Sequence, residues 1–114
     1  LNTPYGGYPL RKQKYMQTIE QLVLPLNGIQ ASMPSIGGGV HPGIVETYIK
    51  EAGKDIVLAA GGSIQGHTMG ATAGAKAMRD AIDIACTGHD FLEAAKGHIE
   101  LENAIARWGY VEKQ

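Results

Sequence analysis

The fold turns on residues 55–66, Asp55-Ile56-Val57-Leu58-Ala59-Ala60-Gly61-Gly62-Ser63-Ile64-Gln65-Gly66. Asp55 to Ala60 is an apolar run with no polar alternation, the pattern of a buried strand in a parallel sheet covered on both faces. A glycine-rich loop, Gly61 to Gly70, follows it. Ala71 to Cys86 then reads as a helix, with Ala71, Ala75, Met78, Ile82 and Ala85 along one face. The same order occurs upstream. Ile29 to Met33 reads as a short strand and Ser35-Ile36-Gly37-Gly38-Gly39-Val40-His41 as a loop. Pro42 suits a first helical position, and Gly53 suits a helix stop. Strand, glycine loop and helix, twice over, make a βαβα unit with parallel strands and right-handed crossovers. The chain is therefore expected to be α/β. Two strands cannot close a barrel, and a complete eight-fold barrel takes about 250 residues. The 114 residues are thus a small open sheet or part of a barrel.

The flanks and the composition narrow this further. Pro4 and Pro9 make Leu1 to Leu10 a loop or an extended segment. Arg11 to Leu24 reads as a helix on the spacing of Tyr15, Met16, Ile19, Leu22 and Val23, ended by Pro25. Asp90 to Trp108 reads as one or two helices broken near Gly97. Sixteen residues are glycine, about twice the usual share of roughly 7%. Ten of those sixteen fall between Gly37 and Gly74, where they mark special backbone torsions or close ligand approach. A net charge of −1 leaves no footprint for nucleic acid or an anionic membrane. The 44% hydrophobic content fits a globular chain, and no apolar run approaches the roughly 20 residues of a membrane span. A single cysteine, Cys86, cannot form an internal disulfide, which favours a reducing, cytosolic setting. No basic stretch followed by an apolar core marks a signal peptide. The abrupt start at Leu1-Asn2-Thr3-Pro4-Tyr5-Gly6-Gly7 reads as a cut edge.

The two glycine loops occupy equivalent places, each after a strand and before a helix. Ligands of parallel sheets bind at the carboxyl ends of the strands. Glycine turns there expose backbone N–H groups, and a following helix adds partial positive charge, so an anion, above all phosphate, is the fitting ligand. One Gly-Gly pair usually marks only a tight turn; two at the same topological position favour anion binding. No Lys-Ser or Lys-Thr follows Gly66, which excludes a Walker-type loop, and Gly-x-Gly-x-x-Gly is absent from both loops. His41 and His67 each end a glycine loop. Either could touch a phosphate or move a proton near pH 7, although capping a helix or bracing a loop is the commoner role. Neither loop holds the Cys, Asp or Glu that would complete a metal shell around them. His89 and His98 are expected to face solvent, as is the charged face carrying Arg79, Asp80 and Asp83. Cys86 is expected to be a buried structural thiol. Trp108 and Tyr110 are expected to anchor the last helix. No set of residues forms a complete catalytic constellation.

Taken together, Gly37-Gly38-Gly39-Val40-His41-Pro42-Gly43, Lys54-Asp55-Ile56-Val57-Leu58, Gly61-Gly62-Ser63-Ile64-Gln65-Gly66-His67 and Ala73-Gly74-Ala75-Lys76-Ala77-Met78-Arg79 resemble the C-terminal region of the RuBisCO large-chain superfamily. Ala106-Arg107-Trp108-Gly109 resembles the end of the same family, and the likeness runs over residues 29–110. The resemblance implies that residues 1–88 are the C-terminal part of a (β/α)8 TIM barrel, about strands 7 and 8 with their helices. Residues 89–114 would be a C-terminal helical tail. It implies that backbone amides of Gly38, Gly39, Gly61 and Gly62 bind a substrate phosphate. Gly37 stands where plant-type members have a serine that contacts a substrate hydroxyl, and Gly62-Ser63 departs from a common Gly-Gly-Gly. The resemblance further implies Mg²⁺-assisted enolisation with the metal ligands upstream of Leu1, a homodimer with a shared site, and a 114-residue chain inactive alone. Pro4-Tyr5-Gly6, with no lysine before Lys12, resembles the RuBisCO-like proteins, including diketo-methylthiopentyl-phosphate enolases. The expectation is an enolase, isomerase or decarboxylase acting on a phosphorylated keto-sugar or keto-acid. His41-Pro42-Gly43 also occurs in archaeal carboxylases, which keeps a true carboxylase as an alternative. A non-catalytic α/β phosphate-binding module and a subunit of a split barrel are the others.

Overall fold

The computed structural model describes residues 1–6, 9–25 and 28–111. The part of the N-terminal loop at Gly7 and Tyr8 lies outside the described residues. Helix α1 (Lys12–Leu22) is followed by strand β1 (Ser35–Gly37) and by a 3-10 turn (Pro42–Ile44) that runs into α2 (Val45–Ala52). Strand β2 (Val57–Ala59), α3 (Gly61–Gln65), α4 (Ala71–Thr87), α5 (Phe91–Ala95) and α6 (Ile99–Trp108) complete the chain. The class is α/β, as expected. The strands pair in parallel with Ser35 opposite Val57, Ile36 opposite Leu58 and Gly37 opposite Ala59.

Strand β1 is not at Ile29–Met33. Ile29 is 67% exposed and Met33 57% exposed, whereas Ile36 is fully buried. Pro34 supplies the reason. It has no N–H to give a ladder, but its carbonyl accepts from Val57 N–H at 2.9 Å, so pairing begins there and runs forward. Strand β2 is also less covered than its apolar run suggests. Val57 is 48% exposed and Ala59 is exposed, because β1 is its one partner strand among the described residues. On the far side of β1, the Leu1 amino group donates to the Ser35 carbonyl at 3.0 Å. Gly37 N–H donates to the Leu1 carbonyl at 3.5 Å. Bonds to residues on either side of Ile36 are those of a parallel neighbour, so Leu1 stands where a third strand would lie.

The stretch after β2 is a short helix rather than a loop. Ile64 N–H donates to the Ala60 carbonyl at 3.2 Å and Gly66 N–H to that of Gly62 at 2.9 Å. The helix is held in place from outside: a Cβ on Gly74 would overlap the Ile64 carbonyl, so α4 packs backbone to backbone on α3. That contact also turns α4. Its buried residues are Gly74, Ala77, Met78, Ala81 and Ile84, one position round from the face that periodicity suggests.

The core is continuous. Tyr15, Ile36, Ile44, Val45 and Tyr48 join Ala77 and Ala81, and Phe91, Leu101 and Ala104 of the last two helices belong to the same cluster. Gly97, with φ of 89°, separates those helices, and the Asp90 carboxylate caps α5 by accepting from Glu93 N–H at 3.0 Å. Among the described residues no helix is long and apolar enough to cross a membrane.

Candidate anion-binding cleft

The pairing of Gly37 with Ala59 makes both chains leave the sheet side by side at the same end. Gly38 and Gly39 follow β1 immediately, and Gly61 and Gly62 open α3 two residues after β2 ends. The two pairs face a common cleft of about 460 Å³, so all four glycines singled out for phosphate come together. Val40, Ala59, Ala60 and Ser63 fill in its walls, and His41 and Trp108 complete it. Among the described residues, no Lys, Arg, Asp or Glu side chain lines it. An anion there would meet backbone amides and neutral side chains.

The two glycine pairs are glycine for different reasons. Gly38 and Gly39 have φ of 84° and 75°, in the left-handed region that costs an L-residue about 1–2 kcal/mol. Their backbone alone demands glycine. Gly61 and Gly62 are helical, without positive φ, and a Cβ on either would meet nothing within 4 Å. Neither torsion nor packing asks for glycine there. An added methyl group at either would meet open space, and both residues border the cleft.

The N-terminal segment packs on the first turn. A Cβ on Gly6 would stand 2.6 Å from the Gly38 carbonyl oxygen, so the two backbones touch. Thr3 and Tyr48 share a hydrogen bond of 2.8 Å, and the Tyr5 hydroxyl donates to Glu51 Oε1 at 2.6 Å. Lys12 lies 3.4 Å from the same carboxylate, whose side chain is 3% exposed. These contacts fasten residues 1–6 to α2.

The far wall comes from the C-terminal segment. Gly109, with φ of 87°, ends α6. Val111 N–H then donates to the Gly43 carbonyl at 3.0 Å, and the Thr47 hydroxyl donates to the Val111 carbonyl at 2.7 Å. The Gly109 carbonyl fills the space a Cβ on Gly43 would need. This docking brings Trp108 onto His41, with ring centroids 6.4 Å apart and planes 18° from parallel. The Arg107 guanidinium stands 5.2 Å from the Trp108 ring centre. Trp108 is an anchor, as expected, but it is also a wall of the cleft. The sequence carries no signal of that, since the contact joins residues far apart in the chain.

The two loop histidines part company. His67 is buried; its Nδ1 accepts from Met69 N–H at 3.0 Å and its Nε2 lies 2.7 Å from the Glu100 carbonyl. Those partners require the proton on Nε2. His67 is a brace between the end of the second turn and α6. The His41 side chain makes no capping bond to the 3-10 turn it precedes. Its Nδ1 is buried with no hydrogen-bond partner among the described residues, and burial pushes the imidazole pKa down from 6.5, so the ring is neutral at pH 7.

Other side chains are not arranged for chemistry. The Ser63 hydroxyl donates to the Ala60 carbonyl at 3.2 Å. Cys86 is exposed rather than buried, because the rotation of α4 carries it out of the core beside Ile82 and Leu58. His89 is exposed. His98 is only partly so, its Nδ1 lying 3.3 Å from Asp80. Asp80, 16% exposed, also pairs with Lys76, so the polar face of α4 is partly covered by α6. Among the described residues no three His, Cys, Asp or Glu side chains gather to hold a metal ion. The described residues do not make a Mg²⁺ site.

Residues 15–108 match the family model of the ribulose bisphosphate carboxylase large chain, catalytic domain. Ribulose bisphosphate carboxylase of Pyrococcus furiosus is 48% identical over 84 residues, covering 74% of this chain and 20% of the relative. 2,3-Diketo-5-methylthiopentyl-1-phosphate enolase of Geobacillus thermodenitrificans is 36% identical over 110 residues, covering 96% of this chain and 27% of the relative. Among solved structures, the octameric ribulose-1,5-bisphosphate carboxylase/oxygenase of Pyrococcus horikoshii superposes with a TM-score of 0.86 at 37% identity, over 95% of this chain and 26% of that one. The chain thus spans about a fifth to a quarter of the length of these relatives. By sequence and by fold, the chain belongs to the RuBisCO large-chain family.

Proposed function

We propose that this chain is the phosphate grip of a RuBisCO-like enzyme that enolises a phosphorylated keto-sugar or keto-acid. Amides of Gly38 and Gly39 on one side and of Gly61 and Gly62 on the other would bind the phosphate. The observation that carries this is the pair Gly61 and Gly62, which the fold does not require to be glycine and which border the cleft. Close approach of a ligand to the backbone is the remaining reason for leaving out a side chain. Family membership supplies the enzyme class, since the matched relatives are enzymes by name.

In this reading residues 1–88 are the C-terminal part of a (β/α)8 barrel, about strands 7 and 8, and residues 89–114 its helical tail. The parallel bonding of Leu1 to β1 and the open edge of β2 support it. Mg²⁺, held by residues outside this chain, would supply the Lewis acid. The full-length protein would act as a cytoplasmic homo-oligomer, and this chain alone would be inactive.

The enolase branch is favoured by the N-terminal segment, which carries Pro4-Tyr5-Gly6 with no lysine before Lys12. The higher identity to the Pyrococcus carboxylase, 48%, favours a carboxylase as the second reading. Purified full-length protein decides between them: enolisation of a phosphorylated diketone without carboxylation of ribulose bisphosphate is the expected outcome, and the reverse establishes the second reading. In either case Gly61→Val should raise KM for the phosphorylated substrate at least tenfold and leave Mg²⁺ affinity unchanged. An unaltered KM counts against the grip.

A further inference from the structure

We infer that His41 gives the bound phosphate a side-chain hydrogen bond in the cleft, donated from Nε2. This rests on the cleft being a phosphate site and names a further residue in it. His41 lines the cleft, and its ring is held by its stack on Trp108, which lines the cleft too. Its Nδ1 faces the other way, 3.3 Å from where a Cβ on Gly43 would be, and Gly43 is not part of the cleft lining. Nδ1 is sealed without a partner among the described residues. A buried acceptor left unpaired is tolerated better than a buried N–H left unpaired, so the proton belongs on Nε2. That nitrogen makes no hydrogen bond among the described residues. It is the atom the ring can offer to a ligand. His67 shows the contrast: both its nitrogens are occupied within the fold. A neutral donor suits this place, because no lining residue offers a formal positive charge.

The test uses full-length protein and inorganic phosphate as the probe, with affinity read by calorimetry and folding by thermal melting. His41→Phe keeps a ring against Trp108 and removes the donor. It should weaken phosphate binding about tenfold, the loss expected for one hydrogen bond to a charged group. His41→Gln keeps a neutral donor and should stay within about threefold of the parent. In the unaltered protein, ¹⁵N-labelled imidazole should show His41 protonated at Nε2, with that resonance moved by phosphate and Nδ1 left bare. This reading needs no variant to fold. If His41→Phe binds as the parent does, or phosphate leaves the Nε2 resonance in place, the assignment of His41 is overturned. The wider reading fails separately: a parent that does not bind phosphate, or a Gly61→Val protein that binds it equally well, removes the cleft itself.

Discussion

Gly74 lies directly against Ile64: a Cβ on Gly74 would overlap the Ile64 carbonyl oxygen and fall 2.7 Å from its Cα. The contact seats α3 on α4 backbone to backbone, and α3 carries Gly61 and Gly62 to the cleft. The spacing between α3 and α4 therefore fixes one side of the candidate site.

Gly74→Ala should push α3 away from α4. The neighbour is backbone and cannot rotate aside, so overpacking should cost about 1–3 kcal/mol. Better helix propensity returns at most about 1 kcal/mol. The expected outcome is a lower Tm together with weaker phosphate affinity. An unchanged or raised Tm would show that the contact is slack.

The two glycine pairs should respond differently to the same small change. Gly39→Ala forces an L-residue to φ of 75° and should destabilise by about 1–2 kcal/mol. Gly61→Ala adds a methyl group to helical backbone with open space around it, and should leave stability unchanged or raise it by up to about 1 kcal/mol. Both should weaken phosphate binding, since both crowd the cleft. Denaturation and phosphate titration of the two variants separate the effects. Loss of stability in Gly61→Ala would mean that its glycine serves the fold.

Sequence pattern made the order of elements readable, because apolar runs, prolines and glycines act locally. Helix α1 begins and ends within two residues of its expected limits, Gly53 ends α2, and Gly97 divides the tail. Errors arose where a distant partner decides. Ile29–Met33 has strand composition, yet the ladder starts at the Pro34 carbonyl because that is where Val57 can donate. Gly61–Gln65 has poor helix propensity, yet packing on Gly74 makes it helical. Periodicity located the helix of α4 but misjudged its buried side by one residue, which also misplaced Cys86. The four glycines of the cleft were legible because their places follow from strand order. Trp108 as a wall was not, because nothing local to it shows that its ring stacks on His41.

A polar cluster behind the first turn makes stability depend on alkaline pH. Tyr15 and Tyr48 are both fully buried. Burial pushes both phenol pKa values up from 10.0, and the charge of Glu51 adds to the rise. The Thr3 hydrogen bond opposes it at Tyr48. A raised value means that the folded state holds its proton more tightly than the unfolded chain. The resulting stability is complete below pH 10 and is lost as pH climbs through the folded values. The loss is about 1.36 kcal/mol per pH unit for each tyrosine. Among the described residues the Tyr15 hydroxyl has no partner at hydrogen-bond distance, and its approach to Glu51 is the smallest contribution to its raised pKa, so Tyr15→Phe should cost little at pH 7. Above pH 10 the variant should lose stability less steeply than the parent, by one proton in the slope. Urea unfolding at a series of pH values measures this directly, and identical slopes in parent and variant would show that Tyr15 does not titrate with folding.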